Sequence, residues 1–99
     1  MPRPPIHPGE HLRIDLEAAG VSQRRLAAAI HVPHNRISEI IQGRRSITAD
    51  TALRLARVIG TTPQYWLNLQ TNYDLRKALQ DEGDAIEKSV APIPELSVA

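Results

Sequence analysis

Residues 22–43 read SQRRLAAAIHVPHNRISEIIQG. This segment predicts two helices of about nine residues each. Ser22 is a favourable N-cap, Pro33 opens the second helix, and Gly43 supplies the left-handed residue that commonly ends a helix. The residues expected to face the core are Leu26, Ala27 and Ile30 from the first helix and Ile37, Ile40 and Ile41 from the second.

The connection between these helices is short, because only His31 and Val32 lie between them, or three residues when Pro33 is included. This is the spacing of a helix-turn-helix. Ala27 is a small residue where the two helices would cross, and Val32 is an apolar plug for the turn. The pair therefore predicts a DNA-binding unit whose second helix lies in the major groove.

The outer face of this second helix carries polar side chains that can reach base edges. Asparagine suits adenine, and glutamate can accept from cytosine N4. The candidate base contacts are His34, Asn35, Ser38 and Glu39, with Gln42 on the same face. The candidate phosphate contacts are Gln23, Arg36, Arg44 and Arg45.

Two of these assignments have alternatives. Arg44 and Arg45 follow a helix C-terminus, where basic side chains also offset the helix dipole. Glu39 would be repelled by phosphates unless it pairs with Arg36 or Arg24 or accepts from cytosine.

The rest of the chain predicts an all-α fold, because no stretch shows the sustained alternation of a half-buried strand. Helix 1 should start at Pro8 and end before Gly20, and helix 4 should run from the Thr48 cap to Gly60. Helix 5, with Thr62 as its cap, should run from Pro63 to about Glu82. The expected inward residues are Leu12, Leu16 and Ala19 in helix 1 and Ala52, Leu53, Leu55, Ala56 and Ile59 in helix 4. We expect a flexible arm at residues 1–6, one domain over 7–83, and a mobile tail over 84–99 with one frayed turn near 85–88.

Charge is distributed unevenly in a chain whose formal net charge is only +1. Residues 22–57 carry seven arginines against two acids, whereas residues 70–99 carry six acids against three bases. The first segment suits DNA, since neutralising phosphates supplies most non-specific affinity. The acidic C-terminal third would suit a basic protein partner, although an acidic tail is also an ordinary solubility device.

Composition excludes several classes of protein. Without cysteine the chain has no disulfide, thiolate zinc site or cysteine nucleophile, and together with the lack of an apolar leader this favours a cytoplasmic location. No apolar run reaches the roughly 20 residues of a membrane span. His7 and His11 are four residues apart, but Pro8 puts His7 at a helix boundary, so we expect no metal, no cofactor and no catalysis.

The stretches at residues 21–27 and 37–45 resemble the helix-turn-helix of the phage-repressor-like Xre/Cro class. The flanking motifs HPGE at 7–10, ITADTALRL at 47–55 and PQYWLNLQ at 63–70 resemble the HigA-type, or VapI-like, antitoxin subgroup. The resemblance covers roughly residues 7–80. It implies a compact five-helix dimeric repressor that binds an operator palindrome at its own promoter and neutralises a HigB-type toxin, a ribosome-dependent mRNA nuclease.

The resemblance also carries residue roles. Repressors of this class read bases with the first two residues of helix 3 and one residue a turn later, here His34, Asn35 and either Ser38 or Glu39. The chain departs from the class at His31, where glycine is usual, and at Pro33, where Ser or Thr commonly caps the recognition helix. Histidine is tolerable at His31 because it is enriched among non-glycine residues at positive φ.

A two-fold dimer is expected because one helix-turn-helix reads too few base pairs, and a dimer places two recognition helices about 34 Å apart. The spare apolar residues for its interface lie in the second half of helix 5, at Tyr73, Leu75, Ala78 and Leu79. Leu75 and Leu79 could instead close the core of the monomer. Trp66, Leu67 and Leu69 are expected to be core residues, and Arg54 and Arg57 to form a solvated face.

Three functions fit these observations. The first is an antitoxin and autorepressor. The second is a stand-alone transcriptional regulator of the Xre class without a toxin partner. The third is a protein-interaction adaptor without DNA binding, which Gln23, Asn35 and the paired arginines disfavour.

Overall fold

The computed structural model describes residues 4–97 and is all-helical within that range. The helices are α1 (Pro8–Ala19), α2 (Gln23–Ile30), α3 (His34–Ile41), α4 (Ala49–Ile59) and α5 (Pro63–Ser89), followed by a short 3₁₀ turn at Pro94–Leu96. The predicted all-α, five-helix architecture is confirmed. The predicted arm and tail extend into residues 1–3 and 98–99, which lie outside the described residues.

The predicted helix starts are confirmed by their caps. Ser22, Thr48 and Thr62 each accept a hydrogen bond through the side-chain oxygen from the backbone N–H three residues later. His7 caps α1 in another way, because its Nδ1 accepts from the Gly9 N–H at 2.9 Å. Each cap satisfies one of the N–H groups that a helix start leaves unpaired.

The end of α5 differs from the prediction. The helix does not stop near Glu82 but continues through Gly83 to Ser89. Glycine lowers the stability of a helix interior but does not prevent helix formation. The backbone remains helical through the six residues after Gly83. Residues 84–89 are therefore helix and not the single frayed turn that was expected.

The core lies between the first four helices and the first half of α5. Its fully buried centre includes Leu12, Ile37, Ile40, Leu55 and Trp66, each with no exposed area. Trp66 also donates from its indole Nε1 to the Thr61 hydroxyl at 2.8 Å. Leu67 and Leu69 pack against this cluster, so their predicted structural role is confirmed.

Two predicted core residues are exposed. Leu53 is 62% exposed on α4, and Ala19 is exposed at the end of α1. Helical spacing predicts which residues share a face, but it does not predict how wide a face the neighbouring helices cover. In α4 the covered face includes Thr51 in place of Leu53.

The close packing of α1 against α3 depends on Gly9. A Cβ atom at this position would lie 1.9 Å from the backbone oxygen of Ile40. Such a contact is far inside van der Waals distance, and the opposing atom belongs to the backbone of α3. The glycine of the HPGE motif is therefore required for the start of α1 to dock on the recognition helix.

Candidate nucleic-acid interface

The turn between α2 and α3 has the conformation that the sequence predicts. His31 is left-handed, with φ of 60° and ψ of 47°, and is the one non-glycine residue with positive φ in the described part of the chain. Val32 packs against the core, and Ala27 is buried between the helices. Because these residues fix α3 against α2, the outer face of α3 has a defined orientation.

The first turn of α3 presents the two leading candidates for base contacts. His34 and Asn35 are exposed. Pro33 occupies the N-cap with φ of −61° and ψ of 144°, and its side chain makes no capping hydrogen bond. Pro33 therefore does not replace the usual Ser or Thr cap; its carbonyl oxygen accepts from the Arg36 N–H at 3.0 Å, and its side chain caps neither of the two N–H groups before it, those of His34 and Asn35.

One side of this face is a connected set of polar groups. Gln42 donates from Nε2 to the Ser38 hydroxyl at 3.4 Å, and its Oε1 accepts from Arg44 Nε at 2.9 Å and from a terminal nitrogen of the same guanidinium. These bonds hold Ser38, Gln42 and Arg44 together. The structure thus joins a candidate base contact to a candidate phosphate contact through Gln42.

Glu39 has a different partner from those considered in the sequence. Its carboxylate lies 3.4 Å from Arg45, and not against Arg36 or Arg24. Arg36 instead lies 3.4 Å from Asp50 of α4. The expectation that Glu39 needs a compensating cation is met, but by a residue six positions along, after the chain has turned at the end of α3.

Gln23 is half-buried at the first position of α2. It lines a shallow groove together with Ser22 and with Ile41 at the end of α3.

Two residues that support this face were missed in the sequence. Gln70 is only 5% exposed, and its Oε1 accepts from the backbone N–H of Ile47 in the loop after α3. Arg54, predicted to lie on a solvated face, is partly solvated but also has a structural role that the sequence did not indicate, since it donates to the carbonyl oxygen of Ile30 at 2.8 Å and to Asp50 at 2.9 Å. One sequence signal could have identified Gln70: it lies four positions after the core residue Trp66, and therefore on the buried face of α5.

The residues predicted for a dimer interface do not all lie together. Tyr73 packs on the His7 ring, with ring centroids 4.8 Å apart. Leu75 and Leu79 are 58% and 60% exposed, so the alternative in which they close the monomer core is wrong. Ala78 is also exposed.

His7 lies at the junction of α1, α5 and the loop after α3. Its burial lowers the pKa of the imidazole, opposed more weakly by the Asp74 carboxylate and by a hydrogen bond with the backbone of Arg45. A neutral ring is also what the cap requires, because Nδ1 accepts the Gly9 N–H. Within residues 4–97 no group of three or more His, Asp or Glu side chains is placed to hold a metal ion.

None of the helices in the described range has the length and apolar character to cross a membrane.

The outer face of α3 and its surroundings form a surface suited to binding another macromolecule. It has an exposed helix face of polar side chains, and arginines stand at its C-terminal end.

Comparison with known proteins agrees with this geometry. Residues 12–66 match the helix-turn-helix family model HTH_3. Virulence-associated protein I of Dichelobacter nodosus is 55% identical over 80 residues, which is 80% of this chain and 74% of that protein.

Solved structures extend the comparison to nearly the whole chain. An addiction module antidote protein of the HigA family from Coxiella burnetii is 51% identical, with a TM-score of 0.87 over 92% of this chain and 100% of that one. The antitoxin GraA in complex with its operator is 43% identical, with a TM-score of 0.87 over 100% of this chain and 97% of that one. The chain therefore belongs to the helix-turn-helix family of HigA- and VapI-type antitoxins.

Proposed function

We propose that this protein is a DNA-binding autorepressor that reads an operator palindrome through α3. The observation that carries the proposal is the exposed first turn of α3, where the side chains of His34 and Asn35 face solvent and Pro33 makes no side-chain capping bond. Asn35 is suited to a bidentate contact with adenine, and His34 can donate or accept at a base edge. The likeness to an antitoxin bound to its operator supports the same orientation of the helix.

Ser38 and Glu39 complete the proposed reading face one turn later. Ser38 is tied to Gln42, and Glu39 lies beside Arg45, which offsets its charge near phosphates. Because Arg45 offsets the negative charge of the Glu39 carboxylate, Glu39 can lie near the DNA phosphates and accept a hydrogen bond from cytosine N4.

The proposed phosphate contacts surround this face. Gln23 lies at the start of α2, where a helix N-terminus favours a phosphate, and Arg44 and Arg45 stand beyond the end of α3. Arg36 bonds Asp50 through one nitrogen at 3.4 Å and has further guanidinium donors. These residues set the register on the duplex without reading its sequence.

We propose further that the protein acts as a two-fold dimer, with Leu75, Ala78 and Leu79 in the interface and Tyr73 at its edge. The exposure of both leucines supports this assignment, since large apolar side chains close together on one surface commonly mark an interface. It acts by binding alone, in the bacterial cytoplasm and on the nucleoid when bound to DNA.

The second partner in this proposal is a HigB-like toxin, an mRNA-cleaving protein that the chain neutralises. Family membership supports this role. The acidic residues of the C-terminal third supply a surface for a basic partner, since Asp81, Glu82 and Asp84 are all exposed on α5. A surface away from α3 would let the protein hold DNA and toxin together.

Gel-shift titration with the DNA upstream of the chain's own gene tests the repressor role. We expect a retarded complex that resists an excess of random DNA. Co-expression with the protein encoded beside it tests the toxin role, and we expect restored growth and co-purification. Operator binding without either of those results would identify a stand-alone regulator.

A further inference from the structure

The second half of α5 carries an apolar stripe that the fold leaves uncovered. Leu75, Leu79, Ile86 and Val90 are 52–65% exposed. They are spaced by four, seven and four residues, which places them on one helix face with Gly83 in the middle. Leu75, Leu79, Gly83 and Ile86 also line one shallow groove, whereas Tyr73 lies against His7 on another side of the helix.

Gly83 has no explanation inside one copy of the chain. A Cβ atom there would meet only Leu79 of the same helix, at 3.7 and 3.9 Å, which is ordinary van der Waals contact. Its backbone is helical and needs no positive φ. Glycine is nevertheless among the least favourable residues in a helix interior, so a second helix that approaches closely at this point would account for it.

We propose that the occupant of this stripe is α5 of a second copy, packed antiparallel so that Leu79 of each copy fills the space above Gly83 of the other. This deepens the proposed dimer, on which it rests, by assigning its direction and register. With the two-fold axis midway between positions 79 and 83, Leu79 lies over the partner's Gly83 and Leu75 lies near the partner's Ile86. Large residues then face small ones, as in knobs-into-holes packing.

A parallel pair would not use the same pattern. Each residue would then face its own copy, which would put glycine against glycine and leave a gap in the middle of the stripe. Unfilled gaps between packed helices forfeit contact energy. The pattern of the stripe therefore favours the antiparallel direction.

Charge supports the same direction. Arg76 and Glu87 are eleven residues apart, about three helical turns, and so flank the same side of the stripe. In the antiparallel pair each Arg76 lies beside the partner's Glu87, whereas in a parallel pair the flank that carries these charges would lie on opposite sides of the interface in the two copies, and Arg76 would not meet Glu87. Opposite charges at such flanking positions select partner and orientation.

Sedimentation equilibrium of the full-length chain tests the interface. We expect Gly83→Leu to weaken the dimer by roughly tenfold or more, although leucine is the better helix former. The matched control is Ala85→Leu, which adds bulk to the same helix outside the stripe and should leave the dimer constant unchanged. An unchanged or tighter dimer in Gly83→Leu would overturn the packing, because a merely apolar stripe would gain from the added leucine.

A charge exchange tests the direction separately. Arg76→Glu and Glu87→Arg should each weaken the dimer by about threefold, and the double variant should recover the original constant. Absence of recovery would overturn the antiparallel register.

The failure of the underlying dimer gives a different result. If Leu75→Asp with Leu79→Asp leaves the dimer intact, the interface lies elsewhere. If the original chain is monomeric and the stripe binds only another protein, both the register and the proposed dimer are wrong.

Discussion

The side-chain Oε1 of Gln70 accepts a hydrogen bond from the backbone N–H of Ile47 at 2.8 Å. Gln70 belongs to α5, and Ile47 lies in the loop that leaves the recognition helix. Gln70 also donates from Nε2 to Asp74 at 2.9 Å, so its amide is held in one orientation. The buried start of α5 thus fixes the loop next to the proposed phosphate contacts Arg44 and Arg45.

Replacing Gln70 should destabilise the fold through this bond. In Gln70→Leu the N–H of Ile47 remains buried without a partner, which costs about 1 to 3 kcal/mol. Urea unfolding measures the loss. Gln64→Leu is the matched control, because Gln64 is exposed on the same helix and bonds only Asn68 in its own segment. Equal effects of the two substitutions would contradict the assigned role of Gln70.

The second prediction concerns Gly9. Gly9→Ala should lower the free energy of unfolding by at least about 1 to 3 kcal/mol, because the new methyl group would displace α1 from the backbone of Ile40. Thermal unfolding of dilute, monomeric protein measures this cost. Gly83→Ala serves as the control, since its Cβ has ordinary room within the monomer. A stable Gly9→Ala protein would show that α1 does not pack on α3 as described.

The third prediction is a dependence of stability on pH. Burial lowers the pKa of His7 below its ordinary value of 6.5, so the unfolded chain binds the proton more readily than the folded one. The contribution of His7 is therefore complete above pH 6.5 and is lost as the pH falls through that value toward the lower folded pKa.

Melting curves between about pH 8 and pH 5 measure this dependence. His7→Asn keeps a capping side chain that does not titrate, and it should flatten the curve on the acid side. If the original protein and this variant lose stability in parallel, another group is responsible.

The fourth prediction concerns Arg54, which donates to the C-terminal carbonyl of Ile30 and to Asp50. Arg54→Gln should lower stability by about 1 kcal/mol, a modest value because the side chain remains partly solvated. Arg57→Gln on the same helix is the comparison and should have a smaller effect. A larger loss of stability in Arg57→Gln than in Arg54→Gln would contradict the structural role of Arg54.

The sequence predicted the features that depend on neighbouring residues. The caps at Ser22, Thr48 and Thr62 and the left-handed turn at His31 follow from local hydrogen bonding and backbone sterics, and all are confirmed. The predicted end of α5 near Glu82 was wrong, because glycine, which ends many helices, lies inside this one at Gly83.

Contacts distant in sequence were not predicted. Arg54 meets Ile30 and Gln70 meets Ile47 across more than twenty positions. The pairing of Glu39 with Arg45 also depends on how the chain turns after α3. Local sequence patterns do not indicate which distant residues will meet, so these contacts are seen only in the folded chain.

A substitution at Asn35 tests whether α3 reads the DNA sequence. Fluorescence anisotropy at fixed salt compares the original chain, Asn35→Ala and Arg44→Ala on the upstream operator and on a scrambled duplex of equal length. We predict that Asn35→Ala loses about 1 to 3 kcal/mol on the operator and nothing on the scrambled duplex, whereas Arg44→Ala weakens both alike. Equal losses of Asn35→Ala on the two duplexes would contradict the reading of sequence by α3.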